Sequence, residues 1–431
     1  MLLRDPNLDA LAVKMLAALE GDGTPWRRLN LALRDAILEH AVRGSPYYRR
    51  VVPPGTPFEE APILTKALVR AHGSDLVSRE IPPERRVRLE STGSADTRLA
   101  RFCRDTTQGP AEYASGQRAL RALQGIPEEA AMVWVSTAPV ADPHDRPPRF
   151  PRTRRHRPPV LPVPSLTLDP GAVRRLLRRC AAVAPYFLYG HPSALHRVAD
   201  GAEEGGLPVP PVAVVGTGET MTHDGRTRLG RTLQAQVHSW YGSNEVGGYV
   251  AGTLPGERRF VFNPLLAHVE LLDGSGRPAE PGARARIVVT DLNNYVMPFI
   301  RYQLGDLTTV PEPAEAWVGG WRASGPIVGR AHEALHLPGG RRLTPVELGE
   351  LFLSERLAAH VRRWQCAQTS PAEIELRVVW EPPGPPDEVR ETVERRLAEL
   401  VGPGASARVR DVEELDRLPS GKAWVIRREG G

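Results

Sequence analysis

The stretch VMPFIRYQLGDL, residues 296–307, decides which fold the sequence predicts. Its apolar residues are typical of a buried β-strand, and a Gly-Asp pair follows. A carboxylate such as Asp306, just after a strand, can bind both hydroxyls of a ribose because its two oxygens match a vicinal diol. A type I or II turn would use the same Gly-Asp pair for structural reasons alone. The stretch predicts a nucleotide site only in combination with other segments.

A second segment, WYGSNEVGG at 240–248, places an aromatic residue, a glycine turn and an acid at the end of a predicted strand. Tyr241 could stack on a base, and Ser243 or Asn244 could bond a phosphate. Glu245 could ligate magnesium. A strand-to-loop corner needs the same glycines without any ligand. Both interpretations stay open for the segment taken alone.

The third segment, ESTGSADTR at 90–98, is a hydroxyl-rich turn. Its backbone N–H groups could surround phosphate oxygens, although an ordinary Ser/Thr/Gly turn has the same composition. The residues that we expect to contact phosphate are Ser91, Thr92, Gly93 and Ser94.

The fourth segment joins IVGRAHEAL (327–335) to PSGK (419–422). Arg330 could add a contact to ribose or phosphate. Of the 56 basic residues only three are lysine and 53 are arginine, so Lys422 is an unusual choice in this chain. A lysine ammonium is compact and carries three protons, whereas the guanidinium of arginine is a larger planar fork. We therefore expect a position-specific role for Lys422.

The remaining pattern indicates an α/β chain. An amphipathic helix is predicted at 27–43 and further helices at 111–124 and 170–182. Short apolar runs alternate with helices and indicate a layered α/β domain, and from about residue 258 the pattern is β-rich. Residues from about 330 form a strand–helix–strand pattern, which predicts a separate small α+β domain. The buried strands that we expect are 132–136, 186–190, 212–218 and 237–242.

Composition limits the class of protein. The length of 431 residues predicts two or three domains, and the net charge of +5 permits an anionic small ligand without requiring nucleic acid. The arginine-rich run at 146–159 is better explained as a proline-rich surface loop than as a nucleic-acid patch. The three cysteines are widely spaced, which favours a reducing compartment. The sequence has no signal-peptide pattern and no apolar run of roughly 20 residues. These features predict a cytoplasmic protein that does not bind membranes.

Taken together, the segments resemble the adenylate-forming superfamily of acyl-CoA synthetases and luciferases, and most closely its phenylacetate-CoA ligase branch. The resemblance covers most of the chain and is most specific at 296–307. The segments that carry it, in order, are RGSPYYRR (43–50), APILTK (61–66), ESTGSADTR (90–98), YGHPSAL (189–195), GTGET (216–220), YGSNEVGG (241–248), VMPFIRYQLGDL (296–307), GRAHEALHLPGGRRLTPVELGEL (329–351) and RLPSGKAWVIRR (417–428).

The resemblance implies a large N-terminal layered α/β domain with a β-rich subdomain, residues 1–329, and a small mobile C-terminal α+β domain, residues 330–431. It implies the use of ATP and Mg²⁺ to convert a small, aromatic or otherwise unusual carboxylic acid into an acyl-adenylate. A thiol, most simply that of CoA, then displaces AMP. An amine or a carrier-protein thiol is an alternative acceptor, and a homodimer is left open.

The resemblance also implies roles for individual residues. Lys422 bridges the carboxylate and the α-phosphate, and Glu245 holds Mg²⁺. Asp306 and Arg330 bind ribose, and Tyr241 and Glu219 lie beside adenine. The remaining nucleotide-site residues are Ser91, Thr92, Gly93, Ser94, Gly218, Gly242, Ser243 and Asn244. Candidates for the wall of the acid pocket are His191, Gly216, Thr217 and Gly247, although His191 is equally well explained as a core histidine. Arg341 and Arg342 are candidates for contact with CoA phosphates.

The chain departs from the family pattern in two of these segments. The family's phosphate loop has a second glycine and a lysine, where this chain has Ala95, Asp96 and Arg98. The family's Asp-Asp hinge is His332-Glu333 here. These changes motivate a rival hypothesis of another class, a catalytically impaired module that binds a nucleotide or an acyl-adenylate. The arginine- and proline-rich composition fits a GC-rich genome and a setting in secondary metabolism.

Overall fold

The computed structural model describes residues 22–90, 101–106, 108–136, 160–164, 170–330, 334–352, 357, 360–370, 372–416 and 425–428. In chain order the helices are α1 (Thr24–Gly44), α2 (Pro46–Val51), α3 (Lys66–Leu76), α4 (Gln108–Leu123), α5 (Pro170–Ala182), α6 (Pro192–Gly205), α7 (His223–Leu233), α8 (Pro345–Gly349) and α9 (Asp387–Val401).

In chain order the strands are β1 (Arg86–Glu90), β2 (Arg101–Asp105), β3 (Ala131–Ser136), β4 (Val160–Pro164), β5 (Tyr186–Gly190), β6 (Ala213–Gly216), β7 (Val237–Ser243), β8 (Gly248–Thr253), β9 (Phe260–Phe262), β10 (Ala267–Leu272), β11 (Arg284–Asp291), β12 (Tyr302–Thr309), β13 (Trp317–Val318), β14 (Trp321–Ser324), β15 (Ile327–Arg330), β16 (Leu335–His336), β17 (Arg342–Leu343), β18 (Val361–Ser370), β19 (Glu373–Trp380), β20 (Ser406–Asp411) and β21 (Ile426–Arg428).

The internal contacts divide the chain into two compact units. The first unit comprises residues 1–128, 146–156 and 240–327, and the second comprises residues 129–145, 157–239 and 328–431. Strand β7 contributes its first three residues to the second unit and its remaining residues to the first. The division into domains 1–329 and 330–431 stays a prediction, because a grouping by contacts does not report which segment moves.

The first unit is mainly antiparallel. Strands β10, β11 and β12 pair in that order, and the end of β7 continues into antiparallel β8, β9, β14 and β13. Helix α1 buries Leu33, Ile37 and Ala41 at i, i+4 spacing, as expected for a helix with one apolar stripe. The predicted helix at 27–43 and the predicted β-rich segment after residue 258 are confirmed.

The second unit contains a parallel sheet in the order β4, β3, β5, β6 and the start of β7. Helices α6 and α7 connect β5 to β6 and β6 to β7. Val133, Leu188 and Val214 lie on one face of this sheet and share a core with Leu176 of α5 and Leu195 of α6. The predicted helix at 170–182 and the predicted buried strands are confirmed, and the chain has the α/β class that the sequence indicated.

The C-terminal segment of the second unit forms a four-stranded sheet in the order β20, β19, β18 and β21. Strands β19 and β20 are parallel and are connected by α9, which buries Val393 and Leu397 against Leu376 of β19. Pro386 precedes α9 and Gly402, at φ 78°, follows it. The predicted small α+β arrangement is therefore confirmed for this segment.

A buried ion cluster joins this C-terminal sheet to α6 and α7. The side chain of Arg228 on α7 is 2% exposed, and its Nη2 lies 3.0 Å from Asp200 and 2.7 Å from Glu203. Its Nε donates to Glu381, just after β19, at 2.7 Å. Arg362 of β18 adds a contact of 3.1 Å to Asp200. Every charge of the cluster that is removed from water has a partner of opposite sign, as burial requires.

Candidate functional site

The loop after β7 begins with a close approach of two backbone segments. The pairing of β7 with β8 changes register between Tyr241 and Gly242. A Cβ atom at Gly242 would lie 1.6 Å from the carbonyl oxygen of Gly248, so no larger residue fits there. The next residues form a short 3₁₀ turn, Asn244–Val246, which ends at Gly247 with φ 84°. These glycines give the loop its shape, as the strand-to-loop interpretation requires.

Strands β7 and β12 bring together two side chains that the sequence assigned to a nucleotide. The hydroxyl of Tyr241 donates to Oδ2 of Asp306 at 2.7 Å. The Tyr241 ring packs edge-on against Phe260 and Phe262, with centroids 6.2 and 6.1 Å apart. Asp306 lies on β12, directly after Gly305, which has φ 93°. The two residues are 65 positions apart in the chain and are held by different sheets.

Arg301, the arginine of the segment 296–307, holds the chain in place where β12 begins. Arg301 has φ 51°, a left-handed conformation that is uncommon for a residue with a side chain. Its buried guanidinium forms a two-point ion pair with Glu270 on β10, at 3.0 and 2.8 Å. The guanidinium also donates to the carbonyl oxygens of Ala61, at 2.7 Å, and of Glu59. These contacts fix the residue that precedes β12, and sequence reasoning had assigned no role to Arg301.

The acidic residue of the loop, Glu245, contacts a buried ion pair. Glu245 is buried, and its backbone carbonyl accepts a bond of 3.2 Å from Arg104 on β2. Arg104 also donates to the buried carboxylate of Asp291 at 2.8 Å. Arg104 and Asp291 were missed by the sequence analysis. A short-range pattern could not indicate the pair, because it joins positions 187 residues apart.

The donors and acceptors of this loop are suited to a phosphate ligand and its metal. The hydroxyl oxygen of Ser243 is buried and has no hydrogen-bond partner among the described residues. A buried hydroxyl of this kind is satisfied when a ligand oxygen binds. Magnesium is commonly held by one or two carboxylates together with substrate phosphates, so Glu245 fits that role. The described part of the chain contains no group of three or more His, Cys, Asp or Glu side chains that could hold a metal without such a ligand.

In the second unit, the loops after β5 and β6 meet at the carboxyl edge of the parallel sheet. Glu219 accepts from the backbone N–H of Ser193 at 2.9 Å and from its hydroxyl at 3.0 Å. The backbone N–H of Thr217 donates to the carbonyl of Gly190 at 3.0 Å. Ligands of open α/β sheets bind at this edge. Both carboxylate oxygens of Glu219 thus take part in holding the loop, a structural role that the sequence did not indicate.

Three other predicted residues lie in the same loops. Gly218 has φ 72°, and a Cβ atom at Gly216 would lie 2.4 Å from the side chain of Met221. His191 is half-buried and precedes the first turn of α6. The edge therefore gathers His191, Gly216, Thr217, Gly218 and Glu219, all of which the sequence placed at the acid or nucleotide site.

The remaining residues that the sequence assigned to the nucleotide, the phosphates or the hinge lie wholly or partly outside the described part of the chain. Ser91, Thr92, Gly93, Ser94 and Lys422 lie outside the described residues, and so do Asp96 and the hinge pair His332-Glu333. Arg330 ends β15, and its side chain is also outside the described part of the structure. Their roles stay predictions. The described helices include none long and apolar enough to cross a membrane.

Comparison with known proteins gives matches only at the level of structure. No protein-family model matches the sequence, and no curated protein is recognisably similar to it. A 2-hydroxyisobutyryl-CoA ligase, crystallised in its postadenylation state with R3-HIB-AMP, matches with a TM-score of 0.74 and 18% identity over 94% of this chain and 89% of that chain.

Two further solved structures share the architecture. An anthranilate CoA ligase in complex with anthranoyl-AMP has a TM-score of 0.53 and 12% identity, over 77% of this chain and 65% of that chain. The O-succinylbenzoate coenzyme A synthetase of Bacillus subtilis, in complex with AMP, has a TM-score of 0.51 and 14% identity, over 78% of this chain and 67% of that chain. The protein therefore has the fold of the adenylate-forming CoA ligases.

Proposed function

We propose that the protein is an ATP-dependent adenylate-forming ligase. It activates a small carboxylic acid as an acyl-adenylate and transfers the acyl group to a thiol, with CoA as the favoured acceptor. The observation that carries the proposal is the contact between Tyr241 and Asp306, two residues that the sequence assigns to a nucleotide, in a chain with the CoA-ligase fold. The buried, unpartnered hydroxyl of Ser243 beside them adds support.

In the first step an oxygen of the substrate carboxylate attacks the α-phosphorus of ATP. The new oxygen–phosphorus bond forms as the bond to the β-phosphate breaks, and pyrophosphate leaves with the bonding electrons. Charge increases on the phosphoryl oxygens, so positioned donors lower the barrier. In the proposed site Lys422 supplies the ammonium that bridges the carboxylate and the α-phosphate. Ser91–Ser94 and Ser243 bind phosphate oxygens through N–H and O–H groups.

Other residues orient the nucleotide in the proposed site. Asp306 accepts bonds from the ribose hydroxyls while Tyr241 holds its carboxylate in position, and Arg330 adds a second polar contact. Glu245 is the carboxylate that would hold Mg²⁺, which neutralises phosphate charge when bound. Gly218, Gly242, Asn244 and Glu219 are the remaining residues that we propose to bind the nucleotide.

In the second step the sulfur of the acceptor thiol, after losing its proton, attacks the carbonyl carbon of the acyl-adenylate. The carbon–oxygen bond to the phosphate breaks and AMP leaves. We propose that residues 330–431 move between the two steps, so that Lys422 serves only the first. Arg341 and Arg342, both exposed, would then be available to the phosphates of CoA.

The acid and its acceptor are assigned by experiment. Purified protein with Mg-ATP is incubated with a panel of aromatic and short-chain acids, and exchange of labelled pyrophosphate into ATP is measured. Each active acid is then tested with CoA, with a carrier-protein thiol and with simple amines, and the product is identified by mass spectrometry. A thioester of CoA is the expected product. An amide product would show that the acceptor is an amine and not a thiol, and the proposed adenylation step would be unaffected.

A protein that binds AMP tightly but exchanges pyrophosphate with none of the acids would favour the rival binding module. The proposal also includes the use of magnesium, a cytoplasmic location and a role in secondary metabolism. Omission of Mg²⁺ from the exchange assay tests the first of these directly, since chelation should abolish exchange.

A further inference from the structure

The second unit contains a buried imidazole whose two nitrogens form no hydrogen bond within the described part of the chain. His238 lies on β7 and is 1% exposed. Neither Nδ1 nor Nε2 has a hydrogen-bond partner among the described residues. Burial, assisted by the charge of Arg226, lowers the pKa of His238 to about 4, so the ring is neutral at pH 7. A neutral imidazole has one N–H donor and one acceptor nitrogen, and leaving both unpaired away from water costs free energy.

Two other histidines with a lowered pKa, the buried His196 and the partly buried His268, show how this fold accommodates a neutral imidazole. Nδ1 of His268 lies 2.7 Å from the side-chain oxygen of Asn30, and burial lowers its pKa to about 4. Nδ1 of His196 lies 3.4 Å from a guanidinium nitrogen of Arg228, and burial lowers its pKa to about 3. Each of these rings has a polar partner supplied by the chain. His238 resembles them in burial and charge and differs in lacking a partner within the described structure.

The position of His238 in the sheet gives it particular neighbours. The strand registers pair Trp134 with Tyr189, Tyr189 with Val215, and Val215 with His238. The residue before each of these four belongs to the core on the helix-covered face. Since side chains alternate along a strand, the four lie in a row on the opposite face. This row contains two aromatic rings, one aliphatic residue and the unpartnered imidazole.

The row borders residues of the candidate site. Val215 directly precedes Gly216 on β6, so the side-chain positions of these two residues lie on opposite faces of the sheet, and Val215 lies two residues before Thr217. Gly216 and Thr217 are two of the four candidates for the wall of the acid pocket. His238 also lies three residues before Tyr241 on the same strand. An imidazole without a hydrogen-bond partner in the described part of the chain therefore lies on the strand beside the one that leads to Thr217, where the acid is proposed to bind.

We propose that His238 is a specificity-determining residue that hydrogen-bonds a neutral polar substituent, a hydroxyl or an amino group, on the carboxylic acid substrate. The flat side chains of Trp134 and Tyr189 in the same row favour an acid with a planar, aromatic body. A neutral ring suits an uncharged substituent better than the reacting carboxylate. The inference rests on the proposed function, because it names the class of acid that this site takes.

The test compares matched pairs of acids that differ by one substituent. Pyrophosphate exchange is measured with benzoate and its hydroxy and amino derivatives at each ring position, and with phenylacetate and its hydroxy derivatives. We expect the wild type to favour a substituted acid over its parent by at least about tenfold in kcat/KM, because a site built to bond a polar group discriminates against an analogue that lacks it. The variants His238→Phe and His238→Leu should lose that preference. The variant His268→Phe, which removes a buried imidazole that has a partner, should keep it.

A wild type that uses parent and substituted acids equally, or a preference that survives in both His238 variants, would overturn the inference. Exchange with no acid at all would instead refute the proposed function, and a second measurement does not depend on activity. Without ligands, thermal unfolding should show His238→Leu or His238→Phe at least as stable as the wild type, whereas His268→Phe loses the bond to Asn30 and unfolds at a lower temperature. If both His238 variants are destabilised as much as His268→Phe, the imidazole already has partners in the free protein and the inference is wrong.

Discussion

The hydroxyl of Tyr241 and the carboxylate of Asp306 are joined by a hydrogen bond of 2.7 Å, although the residues belong to different sheets. Tyr241 lies within the central strand β7, and Asp306 lies within β12, directly after Gly305. Both groups can also bond the hydroxyls of a ribose, because a carboxylate accepts hydrogen bonds and a phenolic hydroxyl donates or accepts them. The pair is therefore the described feature on which the proposed nucleotide site depends most.

Replacing Asp306 should weaken nucleotide binding without unfolding the protein. Hydrogen bonds to a charged group contribute about 1.5–3 kcal/mol, so Asp306→Ala should raise the dissociation constant for AMP by about 10- to 100-fold. Calorimetric titration with AMP measures this. The matched variant Tyr241→Phe keeps the ring and removes only the hydroxyl, and it should have a smaller effect. An unchanged affinity in Asp306→Ala would place the ribose elsewhere.

Gly242 should tolerate no side chain. The Cβ atom of alanine would lie 1.6 Å from the carbonyl oxygen of Gly248, a backbone atom that cannot rotate away. Gly242→Ala should therefore shift the loop that carries Ser243 and Glu245, and abolish pyrophosphate exchange. Gly274→Ala is the control, because a Cβ atom there meets nothing within 4 Å. Equal activity of the two variants would show that the loop geometry does not matter for the reaction.

The ion cluster around Arg228 should contribute strongly to stability. Removing one partner of a buried ion pair costs about 3–5 kcal/mol, because the remaining charges stay buried without compensation. Arg228→Met should lower the free energy of unfolding by this amount in urea titrations. Disruption of the exposed pair Arg395–Glu399 by Arg395→Met should cost less than about 1 kcal/mol. A similar, small loss in both variants would mean that Asp200, Glu203 and Glu381 gain access to water.

Acid should destabilise the protein through its buried histidines. The pKa of His268 is lowered from 6.5 to about 4 in the folded state, chiefly by burial. Below pH 6.5 the unfolded chain takes up a proton that the folded chain resists, so stability falls as the pH drops from about 6.5 to 4. The loss for this residue is about 3 kcal/mol. His268→Gln should show a shallower decline in unfolding free energy over this range, and an identical slope would show that His268 is protonated freely in the fold.

The fold was largely predictable because its signals are local. The helix that became α5 was predicted with its observed bounds, since Asp169-Pro170 marks its start and its apolar residues recur with the period of a helix. The strands of the parallel sheet are short apolar runs bounded by Gly or Pro, which is the pattern of strands buried on both faces. These features depend on neighbours within a few residues.

The ion pairs and hydrogen bonds that support the candidate site could not be predicted, because each of them joins residues that are far apart in the sequence. Arg301 pairs with Glu270 and Arg104 with Asp291, yet nothing local distinguishes these arginines from the other arginines of the chain. Glu219 was assigned to adenine by its motif, whereas its contact with Ser193 depends on two loops meeting in space. Tyr241 and Asp306 were assigned to a nucleotide from their chemistry, and that role stays a prediction; the structure adds their contact with each other.

The central claim is that Lys422 drives adenylate formation, and the most direct measurement is exchange of labelled pyrophosphate into ATP with an active acid. The comparison uses the wild type, Lys422→Arg and the control Lys66→Arg, which changes a lysine at the start of α3. Because a guanidinium cannot reproduce a compact ammonium that serves two oxygens, exchange should persist in the wild type and in Lys66→Arg and fall by at least about 100-fold in Lys422→Arg. Exchange in Lys422→Arg at the rate of the wild type would contradict the account.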